Sequence, residues 1–505
     1  MNALADPYAQ GINLYAMGRY AEAIEQFERV LAVRPDDART LFALGNTARA
    51  LGMSGPAEEF FRRVLILEPL RLEAVVSLAN LLRAQGQFER AETILKSALM
   101  DQPDAPELWL TLGSTYREMG DAGRAAAHYR EALERRPGYA AALGNLADLL
   151  GDDGDHGAAL ALYNRALKAE PGNSQARMNR AILNLLAGNL KEGWRDYAAR
   201  LMLRGKVPVP DHGLRPWDGG SLKRTKLLVT AEQGVGDQIM FASMIPELAA
   251  RAQAEGGRLV LECEPRLLTL FARSFPTVEV RKWDIETRAG VARTHYGWLK
   301  ADGGANAAIE MGTLPHILRK TIGNFPEPNI YLRAAVEETL LWQSAFADVP
   351  RPIIGLCWRS GSTGGHRALQ YAPLQDWAAF IRTLPGTAVC MQYDATDREI
   401  STLEAMSGRT IMVPKQIDQK NELDRVAAMS LVLDAVVSAP TAVAWLSAAV
   451  GVKTYKVLYD SSWTSFGSSF EPFAPCASCM MPSRRGDWAE VFAKTARELT
   501  SRFVA

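Results

Sequence analysis

Residues 109–137 read WLTLGSTYREMGDAGRAAAHYREALERRP. Two helical patterns meet at Gly120, and Pro137 closes the second. The same skeleton recurs through the first two hundred residues. Prolines at Pro35, Pro69, Pro103, Pro137 and Pro171 are each 34 residues apart, as are glycines at Gly18, Gly52, Gly86, Gly120, Gly154 and Gly188. Alanines follow at Ala23, Ala57, Ala91, Ala125 and Ala159, and four residues later come the large side chains Phe27, Phe61, Leu95, Tyr129 and Tyr163. A fixed period of this length marks a solenoid of stacked helical hairpins, none of which buries its apolar face alone. The glycine is expected to permit close approach at the turn, the alanine to let the helices cross tightly, and the proline to end the second helix. Five full units run from about Leu4 to Asn173, and a sixth ends near Arg200.

The period, with Trp109, Leu112, Gly113, Tyr116, Gly120, Ala125, Tyr129, Ala132 and Pro137, resembles the tetratricopeptide repeat. In such a solenoid the first helix of each hairpin lines a concave face. On it, Arg49, Arg83 and Arg117 stand 34 residues apart, and Asn46, Asn80 and Ser114 form a second row one helical turn earlier. Asn bonds backbone amides and Arg meets carboxylates or carbonyls, so the ladder suits a groove for an extended peptide. A plain solvated face is the other reading. Nothing in this half suggests catalysis.

At roughly 100–200 residues per domain, the 505-residue chain has room for about three. Lys plus Arg and Asp plus Glu both total 57, which argues against a general polyanion binder. The cysteines are Cys263, Cys357, Cys390, Cys476 and Cys479; a structural zinc site would need a second close pair, so the last two read as incidental thiols of a reducing compartment. The first residues lack a basic and an apolar segment, and the uncharged run Ala435 to Val452 reads as strand, turn and helix. The protein is therefore expected to be cytoplasmic, with no metal and no nucleic-acid or membrane partner.

Beyond Arg200 the period vanishes. Residues 1–205 form the solenoid and 206–225, rich in Pro, Gly and charge, a linker. Then strands alternate with helices. Strands are expected at 226–231, 258–263 and 278–283, with helices at 238–252 and 266–275. After a break at 326–352 the pattern restarts with strands at 353–358, 387–393, 435–438 and 454–459 and a last helix at 488–503. This predicts α solenoid followed by α/β: two Rossmann-like halves, 226–350 and 351–505, with a cleft at the carboxyl ends of their strands.

Three strand-end turns are polar. Glu232-Gln-Gly234-Val-Gly236-Asp237 opens a helix, where backbone amides and the helix N-terminus favour an anion; Asp237 as a plain helix cap is the alternative. Arg359, Gly361, Gly364, Gly365, His366 and Arg367 form a second Gly-rich turn with two cations, suited to phosphate or carboxylate. Ser438-Ala-Pro-Thr441 opens a third helix, and the Thr441 hydroxyl and free amides are expected to hold a further ligand oxygen. A nucleotide-sugar is a natural occupant of such a cleft.

The stretches Trp217-Asp-Gly219, Ala231 through Asp237, Met311-Gly-Thr-Leu-Pro315, Trp358-Arg-Ser-Gly361, Gln392-Tyr393 and Ser438 through Gly451 resemble bacterial proteins that join tetratricopeptide repeats to a GT-B glycosyltransferase domain. That domain is similar to the heptosyltransferases, and the whole chain looks most like flagellin glycosyltransferases. The resemblance implies a metal-independent enzyme without cofactor that moves a sugar from a nucleotide-sugar to Ser/Thr of a flagellin-like acceptor held by the repeats. It implies Asp237 as general base; on the residues themselves Glu232, five earlier on the same turn, is the alternate, and Gly234, Gly236, Arg359, Gly361, Gly364, Gly365, Arg367, Ser438 and Thr441 are expected at the donor. The family's donor loop, Ser-x-Asp-Thr-x-x-x-His, here has Pro440 for Asp and Trp445 for His. Arg359 and Arg367 would then recognise an acidic donor, for which a cytidine-linked nonulosonic acid fits. The alternatives are a scaffold or chaperone with a decayed transferase domain, and a glycolipid-directed enzyme.

Overall fold

The computed structural model describes residues 6–203, 209–288, 291–301, 304–326, 330–361 and 369–503. They divide into two compact units, Met1–Asn179 and Arg180–Ala505. The architecture is an all-helical repeat array followed by parallel α/β sheets, as expected.

The hairpins of the array are α1 (Pro7–Ala16) with α2 (Tyr20–Val33), α3 (Ala38–Ala50) with α4 (Ser54–Leu67), and α5 (Leu72–Ala84) with α6 (Phe88–Asp101). They continue with α7 (Pro106–Glu118) and α8 (Ala122–Arg135), α9 (Ala140–Asp152) and α10 (His156–Ala169), then α11 (Ser174–Leu186) and α12 (Leu190–Tyr197). Each periodic proline falls just past its second helix, and each periodic alanine is fully buried. The turn glycines act differently from expectation. Gly18, Gly52, Gly86, Gly120, Gly154 and Gly188 have φ between 73° and 88°, and at the first five an added Cβ would meet nothing within 4 Å. They are there for left-handed backbone, not for close approach. Close approach belongs to Gly11, Gly45 and Gly113, where a Cβ would lie 2.4, 2.6 and 2.7 Å from the rings of Phe27, Phe61 and Tyr129.

The second unit begins with β1 (Val209–Pro210), β2 (Arg215–Pro216), β3 (Lys226–Thr230), β4 (Arg258–Cys263), β5 (Glu279–Lys282), β6 (Ile285–Arg288), β7 (Val291–Thr294) and β8 (Ala307–Glu310). Its first large sheet is parallel, in the order β2-β8-β3-β4-β5; β1, β7 and β6 form a small separate sheet. The second large sheet comprises β9 (Ile353–Cys357), β10 (Thr387–Cys390), β11 (Ile411–Met412), β12 (Ala435–Ser438), β13 (Thr454–Val457) and β14 (Ala477–Met480), parallel in the order β11-β10-β9-β12-β13-β14. Aromatic packing of Trp377 and Phe380 on Phe492, with ring centroids 4.9 Å apart in both pairs, fastens the last helix, Trp488–Phe503, to the helix Leu374–Thr383.

Two expectations change. The helix expected over 238–252 is broken into α13 (Val235–Ala242) and α14 (Ile245–Ala254), because Pro246 lacks the N–H a continuous helix needs. The segment expected as linker contributes β2 to the sheet edge, and the Trp217 amide donates to the Ala308 carbonyl at 2.8 Å. Among the described residues no helix is long and apolar enough to cross a membrane.

This packing can be tested at two positions. Gly45→Ala should cost about 1–3 kcal/mol by overpacking, and Phe61→Leu added to it should recover part, since the equivalent pair one repeat on is Ala79 with Leu95; urea denaturation of the repeats decides. Glu262 is buried at the end of β4, where it accepts from the Ala231 amide at 3.1 Å and the Tyr296 hydroxyl at 3.2 Å. Burial pushes its carboxyl up to about 7 from 4.5. A folded pKa raised in this way contributes stability below the unfolded value and loses it as pH rises through the folded one. Between about pH 5 and 8 the wild type should therefore lose stability relative to Glu262→Gln, and parallel pH profiles would show that the group does not titrate there.

Candidate functional site

From β9 the second sheet runs to β10 on one side and to β12 on the other, which makes the ends of β9 and β12 the topological switch point. Their turns adjoin there, with the Ala439 amide donating to the Cys357 carbonyl at 2.7 Å. Arg359 sits on the first turn, and its guanidinium is already committed. It binds both oxygens of Glu399 at 2.7 and 2.9 Å and both of Asp394 at 2.8 Å. Burial pushes Glu399 up, but Arg359, the Thr396 amide and Trp358 outweigh it and bring the carboxyl to about 2. Arg359, expected at the donor, thus has its charge neutralised within the fold and braces the turn. Gly361 is needed for close approach, since a Cβ would lie 2.0 Å from the Tyr393 hydroxyl. Gly364, Gly365, His366 and Arg367 lie outside the described residues.

Ser438 and Thr441 are buried. Their hydroxyls face each other at 3.1 Å, and Thr441 also meets the Cys357 thiol at 3.5 Å. The Thr441 amide bonds the Ala439 carbonyl at 2.7 Å. Contrary to expectation, these groups are spent holding the turn before the helix Ala442–Ala449 rather than turned outward.

The Gly-rich turn after β3 splits the two expected bases. Asp237, in the first turn of α13, is half-buried; its Oδ2 accepts from the Gly234 amide at 3.2 Å, as the cap reading implies. Its carboxylate also lines a cleft. At Gly236, α13 lies against the helix Ala442–Ala449: a Cβ there would be in ordinary contact, 3.4 Å from Trp445 and 3.5 Å from Ala442. Glu232 is buried in an ion pair with Arg200, 2.6 Å from Nη2 to Oε1, and accepts from the Gly312 amide at 2.6 Å. It is not among the residues that line the Asp237 cleft.

That cleft has a volume of about 260 Å³, with Asp237, Pro440, Trp445, Lys456, Tyr459 and Trp463 among its walls. Most of one wall is the loop after β13, which sequence reasoning passed over. Lys456 is buried, stacked with Nζ 4.6 Å from the Trp445 ring centroid, and ion-paired with the fully buried Glu471. Thr464 donates to the same Glu471 oxygen at 2.9 Å. A lone cation inside the apolar strand Thr454-Tyr-Lys-Val457 was the available signal. The cleft offers aromatic faces, a carboxylate and the edge of a paired lysine, which suits a polar ring.

In the repeats, the arginine ladder is largely cross-braced. Arg83 pairs with Glu118 at 3.0 Å, and Arg117 with Asp148 at 3.2 Å and Asp152 at 3.7 Å. Arg49 is exposed, Asn46 and Asn80 are half-buried, and Ser114 accepts from Tyr129 at 3.3 Å and Asn145 at 3.4 Å. The ladder thus stitches neighbouring hairpins together while presenting part of its polar surface.

Lys456→Met alone should be severely destabilising, by about 3–5 kcal/mol, because it leaves Glu471 charged and unpaired in the interior. Lys456→Met with Glu471→Leu should recover most of that in urea denaturation.

Comparison with known proteins places the repeats firmly. The middle TPR-like domain model of cilia and flagella-associated protein 70 matches residues 13–125, and two tetratricopeptide repeat models match 104–169 and 145–201. Protein FlbA of Caulobacter vibrioides is 32% identical over 329 residues, 63% of this chain and 54% of that protein. The chain thus spans about half the length of this curated relative. A thermophilic TPR protein of Thermus thermophilus is similar at 30% identity over 35% of this chain and 97% of its own, with a TM-score of 0.32. MamA is similar at 22% identity over 33% of this chain and 96% of its own, with a TM-score of 0.28. Residues 13–201 are tetratricopeptide repeats, the helical hairpins that generally mediate protein–protein interaction.

Proposed function

We propose that the chain is a GT-B glycosyltransferase that moves a sugar from a nucleotide-sugar to a hydroxyl of a protein acceptor, a flagellin-like Ser or Thr, recognised by the repeats. The observation that carries this reading is the placement of Asp237. Its carboxylate, at the N-terminus of α13, lines the 260 Å³ cleft beside the N-terminus of the helix Ala442–Ala449. Transfer to a hydroxyl needs a proton acceptor near the attacking oxygen, and a positioned carboxylate supplies one. Trp445, Tyr459 and Trp463 offer faces for the base or sugar ring of the donor, and Lys456, whose charge is paired with Glu471, supplies a polar edge beside them. The repeats give the reading an acceptor: extended polypeptide lies naturally along a ladder of Asn and Arg. No metal or organic cofactor is required by this scheme.

A second reading, a scaffold whose transferase domain is inactive, draws support from the internal neutralisation of Arg359 and Glu232 and from the bonded hydroxyls of Ser438 and Thr441. Transfer of radiolabelled sugar to co-purified acceptor separates the two. Asp237→Asn should lower transfer about a hundred- to ten-thousandfold while leaving fold and nucleotide binding intact. Equal transfer by wild type and Asp237→Asn would remove Asp237 from the chemistry, and no transfer by wild type would favour the scaffold. A protein acceptor requires that replacing Arg49, Arg83 and Arg117 by Ala weaken its capture. Because such exposed or half-exposed pairs are each worth only about 0–1 kcal/mol, the fold should persist, and unchanged pull-down would exclude the ladder from recognition.

A further inference from the structure

The turn that carries Asp237 is held in part from outside. Gln233 has φ 62°, left-handed for a residue with a full side chain. Such a conformation persists only where its surroundings over-determine it. The surroundings here come from the end of α12 and the 3-10 turn that follows it, Ala198–Met202. Gln233 Nε2 donates to the Tyr197 hydroxyl at 3.1 Å. One residue earlier, Glu232 is gripped by Arg200 through both oxygens, at 2.6 and 3.0 Å, with side-chain exposures of only 6% and 8%. The same Arg200 Nη2 donates to Thr313 at 2.8 Å, and the Gly312 amide donates to Glu232 at 2.6 Å. A Cβ on Gly312 would strike Glu232 at 2.6 Å, so the strand-end after β8 is shaped around the pair. The helix is itself anchored: Trp194 packs edge-on against Trp463, Phe466 and Phe473 at centroid distances of 6.2, 5.8 and 6.2 Å. Trp463 is a wall of the cleft.

We infer that Tyr197 and Arg200 are positioning residues for the Asp237 turn. They fix the two residues immediately before Gly234, and with them the direction in which α13 presents its first turn to the cleft. Through Trp194 the same helix also supports the Trp463 wall. Glu232 thereby serves as the turn's anchor rather than as a base. The consequence for turnover rests on the transferase reading; the clamp itself does not.

The test uses the full chain and two variants that leave no unpaired buried charge: Tyr197→Phe, and Arg200→Met with Glu232→Met. Hydrogen exchange of peptides covering residues 231–240 should accelerate about tenfold or more in both, while peptides from β4 and β9 keep wild-type protection. Unchanged exchange of the turn in Tyr197→Phe overturns the inference. If the double variant loses protection everywhere, the single variant decides. Where transfer is measurable, Tyr197→Phe should lower kcat without changing the donor KM, and an unchanged kcat counts against positioning. Absence of transfer in the wild type would end the enzymatic reading and leave the exchange result to judge the clamp.

Discussion

A charge removed from water is costly unless an opposite charge or good hydrogen bonds meet it, and three cations beside the cleft and its turns are met by carboxylates. Arg200 neutralises Glu232, Arg359 is shared by Asp394 and Glu399, and Lys456 pairs with Glu471. Each pair joins two separate segments of the chain, and the first two brace a turn beyond a strand. In the most deeply buried pairs, removing one partner would leave the other unpaired in the interior, which is far more costly than deleting both. The turns are therefore held by obligation. That is what allows glycine-rich backbone, which has little stiffness of its own, to keep a definite shape.

This arrangement also separates polar residues within the turns from those on the cleft wall. Glu232, Arg359, Ser438 and Thr441 satisfy one another or their neighbours, and their chemistry is spent on structure. Asp237 and Lys456 line the cleft. In the cleft the Trp445 ring faces Lys456. An aromatic face with a buried cation behind it favours a different ligand edge from an imidazole, since it attracts through its quadrupole and offers no proton.

The repeats follow a separate logic. Their stability is built from neighbour to neighbour, and the Arg83–Glu118 and Arg117–Asp148 bridges show that part of the polar ladder belongs to that stacking. Arg83 and Arg117 occupy the same offset in successive units and make equivalent bridges to the next hairpin.

Everything with a period was legible in the amino-acid order alone. The 34-residue spacing named the hairpins, their ends and their buried alanines, because a 3.6-residue helix and a repeated turn leave local, regular marks. The strands β3, β4, β9 and β12 and the glycine turn after β3 were legible too, since buried parallel strands are short apolar runs. Missed were β8, β14 and the loop over 458–464: Ala307-Ala-Ile-Glu310 and Ala477-Ser-Cys-Met480 are strands only because neighbours offer them hydrogen bonds. Nor was it legible that Glu232 and Arg359 would be neutralised, or that Lys456 would reach the cleft. A side chain's availability depends on partners brought in from distant segments, such as Arg200 for Glu232 and Glu399 for Arg359. Long-range pairing of charge leaves no local pattern in a chain, so which polar groups stay available was settled by folding.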